Sequence, residues 1–175
     1  MMKKVYCALF VLLYLTSCSS HFQVTSTQTQ NVFPDQQTFA VAQDENVTRL
    51  LGEQTVSELK KEINKQMKER GFIQSEREPD LILFITYYNK KVKLPELEQV
   101  SHNQDKFIHT VLKKAGTNTL VFQLLDVSSN EVVWRSFASN LPSQTQVRQY
   151  IHVTKWLFSE LKFQNNRVIA GLGNR

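Results

Sequence analysis

The sequence predicts an α+β domain: a two-layer α/β sandwich with about four to five strands in a mixed sheet and two amphipathic helices on one face. Three observations predict it. Residues 47–70 and 147–161 repeat apolar side chains at helical spacing; Leu81–Tyr88 is apolar on both faces; and two strand-like runs, 117–126 and 131–139, are joined by a four-residue turn. The composition agrees, since 41% hydrophobic residues with only 5 Gly and 4 Pro in 175 suit a packed domain better than a disordered stalk.

The chain opens with Lys3 and Lys4, continues with an apolar run from Val5 to Leu15, and leaves it through Thr16 and Ser17 to Cys18. A positive end, a short apolar run and a small-residue exit describe a secretory signal peptide. The run is too short for a spanning helix, which needs about 20 apolar residues. Leu15-Thr16-Ser17-Cys18 resembles the lipobox of bacterial lipoproteins. That resemblance implies diacylglyceryl transfer to the Cys18 thiol, cleavage after Ser17 and acylation of the new amino terminus. Ser19, where Asp would retain a Gram-negative lipoprotein in the inner membrane, implies sorting to the outer membrane, facing the periplasm. The expected organisation is therefore a signal peptide at 1–17, a lipidated tether or first strand at 18–32, one domain at 33–163 and a tail at 164–175. The other cysteine, Cys7, leaves with the signal peptide, so no thiol beyond Cys18 remains for disulfide or metal chemistry.

Phe22, Val24 and Ser26 alternate with Gln23 and Thr25, which suits a strand, although the Gln/Thr/Asn-rich stretch to Asn31 equally suits a solvated tether. Pro34-Asp35 marks a turn, and Thr38–Ala42 is a short apolar strand. In 47–70, Leu51, Val56, Leu59, Ile63 and Met67 form one apolar stripe. Glu58–Lys61, Glu62–Lys65 and Lys65–Glu69 can pair on the other face. Gly71 stands where a left-handed residue would end the helix. Leu81–Tyr88 reads as a central strand. Residues 89–116 read as a long polar connection holding one short helix around Ile108, Val111 and Leu112, and a connection of that length is often functional. Residues 117–126 and 131–139 read as an antiparallel hairpin. Val147, Tyr150, Ile151, Thr154, Leu157, Phe158 and Leu161 trace the second helix. The expected core includes Leu59, Ile63, Leu83, Ile85, Leu120, Phe122 and Leu157.

Three stretches, "VFPDQQTFAV", "MKERGFIQSEREPDLILFITYY" and "AGTNTLVFQLLDVSSNEVVWRSFAS", together resemble the periplasmic lipoproteins grouped as domain-of-unknown-function 4136. The matching residues are Phe33, Thr38, Phe39, Gly71, Phe72, Pro79, Asp80, Leu81, Gly116, Leu120, Asp126, Val133 and Trp134. Asn118, between Thr117 and Thr119, departs from the family pattern, as does the 89–116 connection. The resemblance implies no known reaction.

The residues themselves show no Gly-x-Ser-x-Gly, no Gly-rich phosphate loop and no metal-ligand spacing among His21, His102, His109 and His152. No cofactor or metal is expected. Asp80, Asp126 and Glu131 fall at one sheet edge if their strands are antiparallel neighbours. Such carboxylates could hold Ca²⁺ or perturb one another, or they could simply cap turns, which Asp does readily. Trp134 reads as core rather than as a stacking platform. Lys90, Lys91 and Lys93 form the candidate binding surface. Removing Lys3 and Lys4 lowers the net charge from +5 to +3, a modest basic balance that suits an anionic envelope surface better than nucleic acid. The expected function is thus a lipid-anchored, non-catalytic binding or scaffold module. Its partners would be the membrane through the lipid anchor and an envelope protein or anionic lipid, with no nucleic acid. The alternatives are a carrier or assembly factor for lipid or outer-membrane components, and an enzyme built on the acidic cluster.

Overall fold

A six-stranded mixed sheet carries three helices on one face and a long two-stranded ribbon on the other. The computed structural model describes residues 22–28, 38–102, 105–143 and 145–162; Cys18, Phe33 and the signal-peptide and tail segments lie outside them. The strands are β1 (Gln23–Gln28), β2 (Thr38–Gln43), β3 (Ile73–Gln74), β4 (Leu81–Tyr88), β5 (Val92–His102), β6 (Asp105–Ala115), β7 (Thr119–Asp126) and β8 (Glu131–Ser139). The helices are α1 (Glu45–Leu51), α2 (Glu53–Glu69) and α3 (Val147–Ser159). The sheet order is β1-β8-β7-β4-β2-β3, with β2 parallel to β3 and β4 and the other pairs antiparallel. The fold class is the expected α+β sandwich, with more strands than the sequence suggested.

β4 shows how the layers form. Leu81, Leu83, Ile85 and Tyr87 are buried under the helices, while Ile82, Phe84, Thr86 and Tyr88 alternate onto the second face. Phe39, Leu120, Phe122, Leu124 and Trp134 join the helix-side core, where they meet Val56, Leu59, Ile63 and Met67 of α2 and Val153, Leu157 and Phe158 of α3. All seven residues expected in the core are fully buried.

The single helix expected over 47–70 is two. Asp44 begins α1 by accepting from the Asn46 N–H at 2.8 Å, a cap that sequence periodicity overlooked. Gly52, at φ 82° and ψ 151°, then breaks the rod, ending α1 and starting α2 in a conformation that side chains disfavour. At the far end of α2, Gly71 at φ 91° closes a Schellman motif. Its N–H donates to the Lys68 carbonyl at 2.9 Å and the Phe72 N–H to that of Met67 at 3.2 Å. On the exposed face of α2, Lys61 pairs with Glu58 at 2.6 Å and Lys65 reaches Glu69 at 3.9 Å. Glu62 instead turns inward and accepts from Gln66.

The largest correction concerns 89–116. In place of a polar connection with a short helix stands the β5–β6 ribbon, eleven paired positions from Val92↔Ala115 to His102↔Asp105 and roughly 35 Å long. Ile108, Val111 and Leu112 fit a helical spacing, and Pro95 stands within β5. A two-stranded ribbon nevertheless leaves each strand one free edge, where a missing N–H costs no ladder bond. β1 is likewise a strand of the main sheet, paired with β8 from Gln23↔Ser139 to Gln28↔Trp134.

Candidate functional site

The second face of the sheet holds the candidate site. At its centre, Leu94 and Ala115 from the root of the ribbon pack on Val121 and Phe137, with Tyr88 and Val92 beside them. Arg135 fastens this root: its Nη1 donates to the Pro95 carbonyl of β5. In the amide orientation that satisfies both groups, Gln123 accepts from Arg135 Nη2 at 2.7 Å and Nε at 2.8 Å. Half-burial lowers the Arg135 pKa from its ordinary value through loss of water, while Tyr88 pulls it the other way. The guanidinium remains a cation all the same.

Beyond that fastening the face stays open. Register places Ala40 beside Ile82 and Ala42 beside Phe84, with Leu125 next to Ile82. Phe84 is 36% exposed, so an apolar strip borders the Arg135–Gln123 pair. The lysines stand at the rim. Lys90 and Lys91 lie in the turn between β4 and β5, and Lys93 on β5 is opposite Lys114 on β6; all four are exposed. Like charges directly across a ladder repel, so this end of the ribbon is a cationic surface suited to an anion.

The three carboxylates lie at the opposite end of the sheet. Leu81 pairs with Asp126 and Asp126 with Glu131, so the register gathers Asp80, Asp126 and Glu131 at one edge. Asp80 and Asp126, however, are engaged with the backbone. Asp80 Oδ2 accepts from the Thr38 N–H at 2.9 Å and its hydroxyl at 2.7 Å, while the Asp80 N–H donates to that same hydroxyl at 2.9 Å. Asp126 Oδ1 accepts from the Ser128 N–H at 2.8 Å, the Ser128 hydroxyl at 2.6 Å and the Ser129 N–H at 3.2 Å, capping the β7–β8 turn. Among the described residues, no group of three His, Cys, Asp or Glu is placed to hold a metal.

Several of the described residues that carry the family resemblance hold the fold together. Thr38 and Asp80 clamp β2 to β4, and Gly71 ends α2. Gly116 lies against Asn140, whose Oδ1 would stand 1.8 Å from an added Cβ. Trp134 is fully buried and donates from Nε1 to Ser26 at 3.0 Å, as the core reading expected. Asn118, the departure from the pattern, adopts φ 50° and donates from Nδ2 to the Leu141 carbonyl at 3.0 Å, latching the start of β7 to the chain after β8.

Sequence reasoning missed two features. Arg135 interrupts an otherwise apolar strand, a signal that it faces away from the helices. Trp156 lies outside the apolar stripe of α3 and is 50% exposed. Its ring meets Phe22 at 5.3 Å and His152 at 5.7 Å between centroids. Beside them opens a pocket of about 330 Å³, lined in part by Phe22, Leu141, Arg148 and His152.

No curated protein matches the chain. Among solved structures, a PDZ domain protein from Parabacteroides distasonis superposes with a TM-score of 0.50 at 18% identity, covering 81% of this chain. The chain spans 36% of that protein's length, and the likeness is one of fold. Two crystal forms of the PelC dodecamer from Paraburkholderia phytofirmans match at 14% and 12% identity, with TM-scores of 0.41 and 0.42, each covering 81% of this chain and 94% of theirs. The model of the family "Domain of unknown function (DUF4136)" matches residues 23–154, from the first strand into the last helix, and the chain belongs to that family.

Proposed function

We propose that this chain is a lipid-anchored cell-envelope protein, held to the periplasmic side of the outer membrane through Cys18, whose domain is a non-catalytic module that binds an anionic envelope partner. The observation that carries the binding role is the cationic root of the ribbon. Lys90, Lys91, Lys93 and Lys114 gather at the root of the ribbon, which Arg135 fastens to the rigid sheet. The lipobox-like Leu15–Cys18 supports the anchor. The engagement of Asp80 and Asp126 with turn and clamp hydrogen bonds favours binding over acid–base catalysis.

Replacing Lys90, Lys91 and Lys93 together by Gln tests the reading. Crosslinking in the native envelope followed by mass spectrometry should recover less of the parent's partner from the triple variant. The residual capture should depend less on salt, since exposed charges are screened over about 8 Å at physiological ionic strength. Full and equally salt-sensitive capture would make the lysines a solvated turn. A second reading, a carrier of acyl chains, draws on the exposed strip of Ile82 and Phe84. It would gain if the recovered partner were lipid and its capture indifferent to the lysines.

A further inference from the structure

The exposed side of α3 differs from that of α2. On α2, Glu58 and Glu69 offset Lys61 and Lys65 in ion pairs. Across Val147–Ser159 there is no carboxylate. Arg148, His152, Lys155 and Trp156 are all exposed there, and i, i+4 spacing puts Arg148, His152 and Trp156 in one row along the helix. Phe22 packs on Trp156 and helps line the pocket that Arg148 and His152 also line. The result is a surface with basic groups around an aromatic pair, half of whose tryptophan ring is left in water.

Phe22 is also the point where the described chain begins, four residues after Cys18. Four residues span at most about 14 Å. An acylated Cys18 would sit at the top of the hydrocarbon core, beneath a headgroup layer roughly 5–7 Å deep on each side. Phe22 would therefore be held within or just above the headgroups, and Trp156, in contact with Phe22, would be brought there too. Tryptophan favours that depth because its ring is apolar and its N–H needs a polar partner.

We propose that this Phe22–Trp156 surface of α3 docks on the anionic bilayer that anchors the protein, with Trp156 seated among the headgroups and Arg148 and Lys155 over lipid phosphates. The inference rests on the anchoring reading of Cys18 and adds to it a fixed orientation. α3 covers one face of the sheet and the ribbon root the other, so docking through α3 leaves the lysine rim of the ribbon free for a partner.

The two tryptophans make the test direct, because Trp134 is fully buried and Trp156 is not. The full acylated chain is reconstituted into vesicles of phosphatidylglycerol and phosphatidylcholine whose acyl chains carry bromine near the headgroup. Docking predicts that the vesicles quench the emission of Trp156 and that Trp156→Phe abolishes the quenching while the emission of Trp134 persists, which also shows that the variant is folded. Arg148→Gln combined with Lys155→Gln should reduce quenching on these vesicles and have little effect on vesicles of phosphatidylcholine alone. If the protein floats with the vesicles and Trp156 is unquenched by bromolipid but open to aqueous iodide, docking is overturned while the anchor stands. Shielding from both quenchers means that a second copy covers the face, and that also overturns it. Failure to float, with an unmodified amino terminus by mass spectrometry, overturns the anchor and the docking together.

Discussion

Tyr150 sits where α3 meets the central strand, its ring edge-on to Tyr87 with 6.5 Å between centroids. Burial pushes its phenol well above the ordinary tyrosine range, its interaction with Tyr87 pushes the same way, and Thr145 opposes them. Below about pH 10 the phenol is neutral in the folded and unfolded chain alike, so the stability it contributes is complete. Above that pH the unfolded chain gives up its proton first, and stability falls as pH rises. Tyr150→Phe removes this drain. The alkaline unfolding midpoint, followed by the fluorescence of buried Trp134, should move up. Stability near neutrality should fall by about 1 kcal/mol for the lost hydroxyl bond. An unchanged alkaline midpoint would mean that another group governs base unfolding. Tyr150 resembles the family-signature residues in one respect: Thr38, Asp80 and Gly116 also have polar or steric roles that close contacts between elements distant in sequence.

Among the elements, the β5–β6 ribbon depends most on a single attachment. An isolated hairpin is marginal in water, and among its described side chains this one is held to the sheet by Val92, Leu94, Ala115 and the Arg135 bond to Pro95. Arg135→Met keeps most of the apolar stem and removes the donors, leaving the Pro95 carbonyl and the Gln123 oxygen without their partner. The expected outcome is a loss of about 1–3 kcal/mol and faster amide hydrogen exchange at Val92–Leu94 and Val111–Ala115, with β4 and β7 as protected as before. Equal exchange in parent and variant would show that the apolar root suffices. The elements that the sequence made legible are those whose periodicity coincides with burial on one side: β4, β7, β8, α3 and most of α2. The ribbon was not legible because its sequence carries no apolar alternation with a period of two. Ile108, Val111 and Leu112 then fit a helix by coincidence of spacing. The α1–α2 break was missed because Leu51 and Val56 continue the apolar stripe across Gly52, and only the backbone angle of Gly52 shows the interruption. In the candidate site, Lys90, Lys91 and Lys93 were legible as charge. Arg135 and the Phe22–Trp156 pair were not, since each depends on contacts across 40 or more residues of chain or on the one side of α3 that lies outside its buried stripe.

Across the whole molecule, the sheet separates charge along its length. Gln23, Tyr88, Thr119 and Ser139 mark one end, where the lysine rim and the first described residues lie; Leu81, Asp126 and Glu131 mark the other. With the proposed anchor at Cys18, the lysine rim would lie at the anchored end of the sheet, on the face opposite α3, and the carboxylates at the far end. β1 is also integral to the fold. β1 pairs along its full length with β8, Ser26 accepts from Trp134, and Gln28 exchanges hydrogen bonds of 2.7 and 2.9 Å with the backbone of Lys162 beyond α3. Force on the proposed anchor would thus reach the sheet through β1. Cys18 lies four residues before Phe22, outside the described residues, and Cys18→Ser is the variant that should separate attachment from folding. A serine hydroxyl lacks the nucleophilicity of a thiolate, so the variant should accumulate as an unprocessed precursor or be released from the membrane fraction. Its domain should melt within a degree or so of the parent's, as expected for a change away from the core and the contacts of β1. Mass spectrometry of the parent's amino terminus is the decisive companion measurement. An acylated Cys18 makes the released variant a test of anchoring, whereas an unmodified terminus at any other residue would remove the anchor, and with it the orientation of the charged ends.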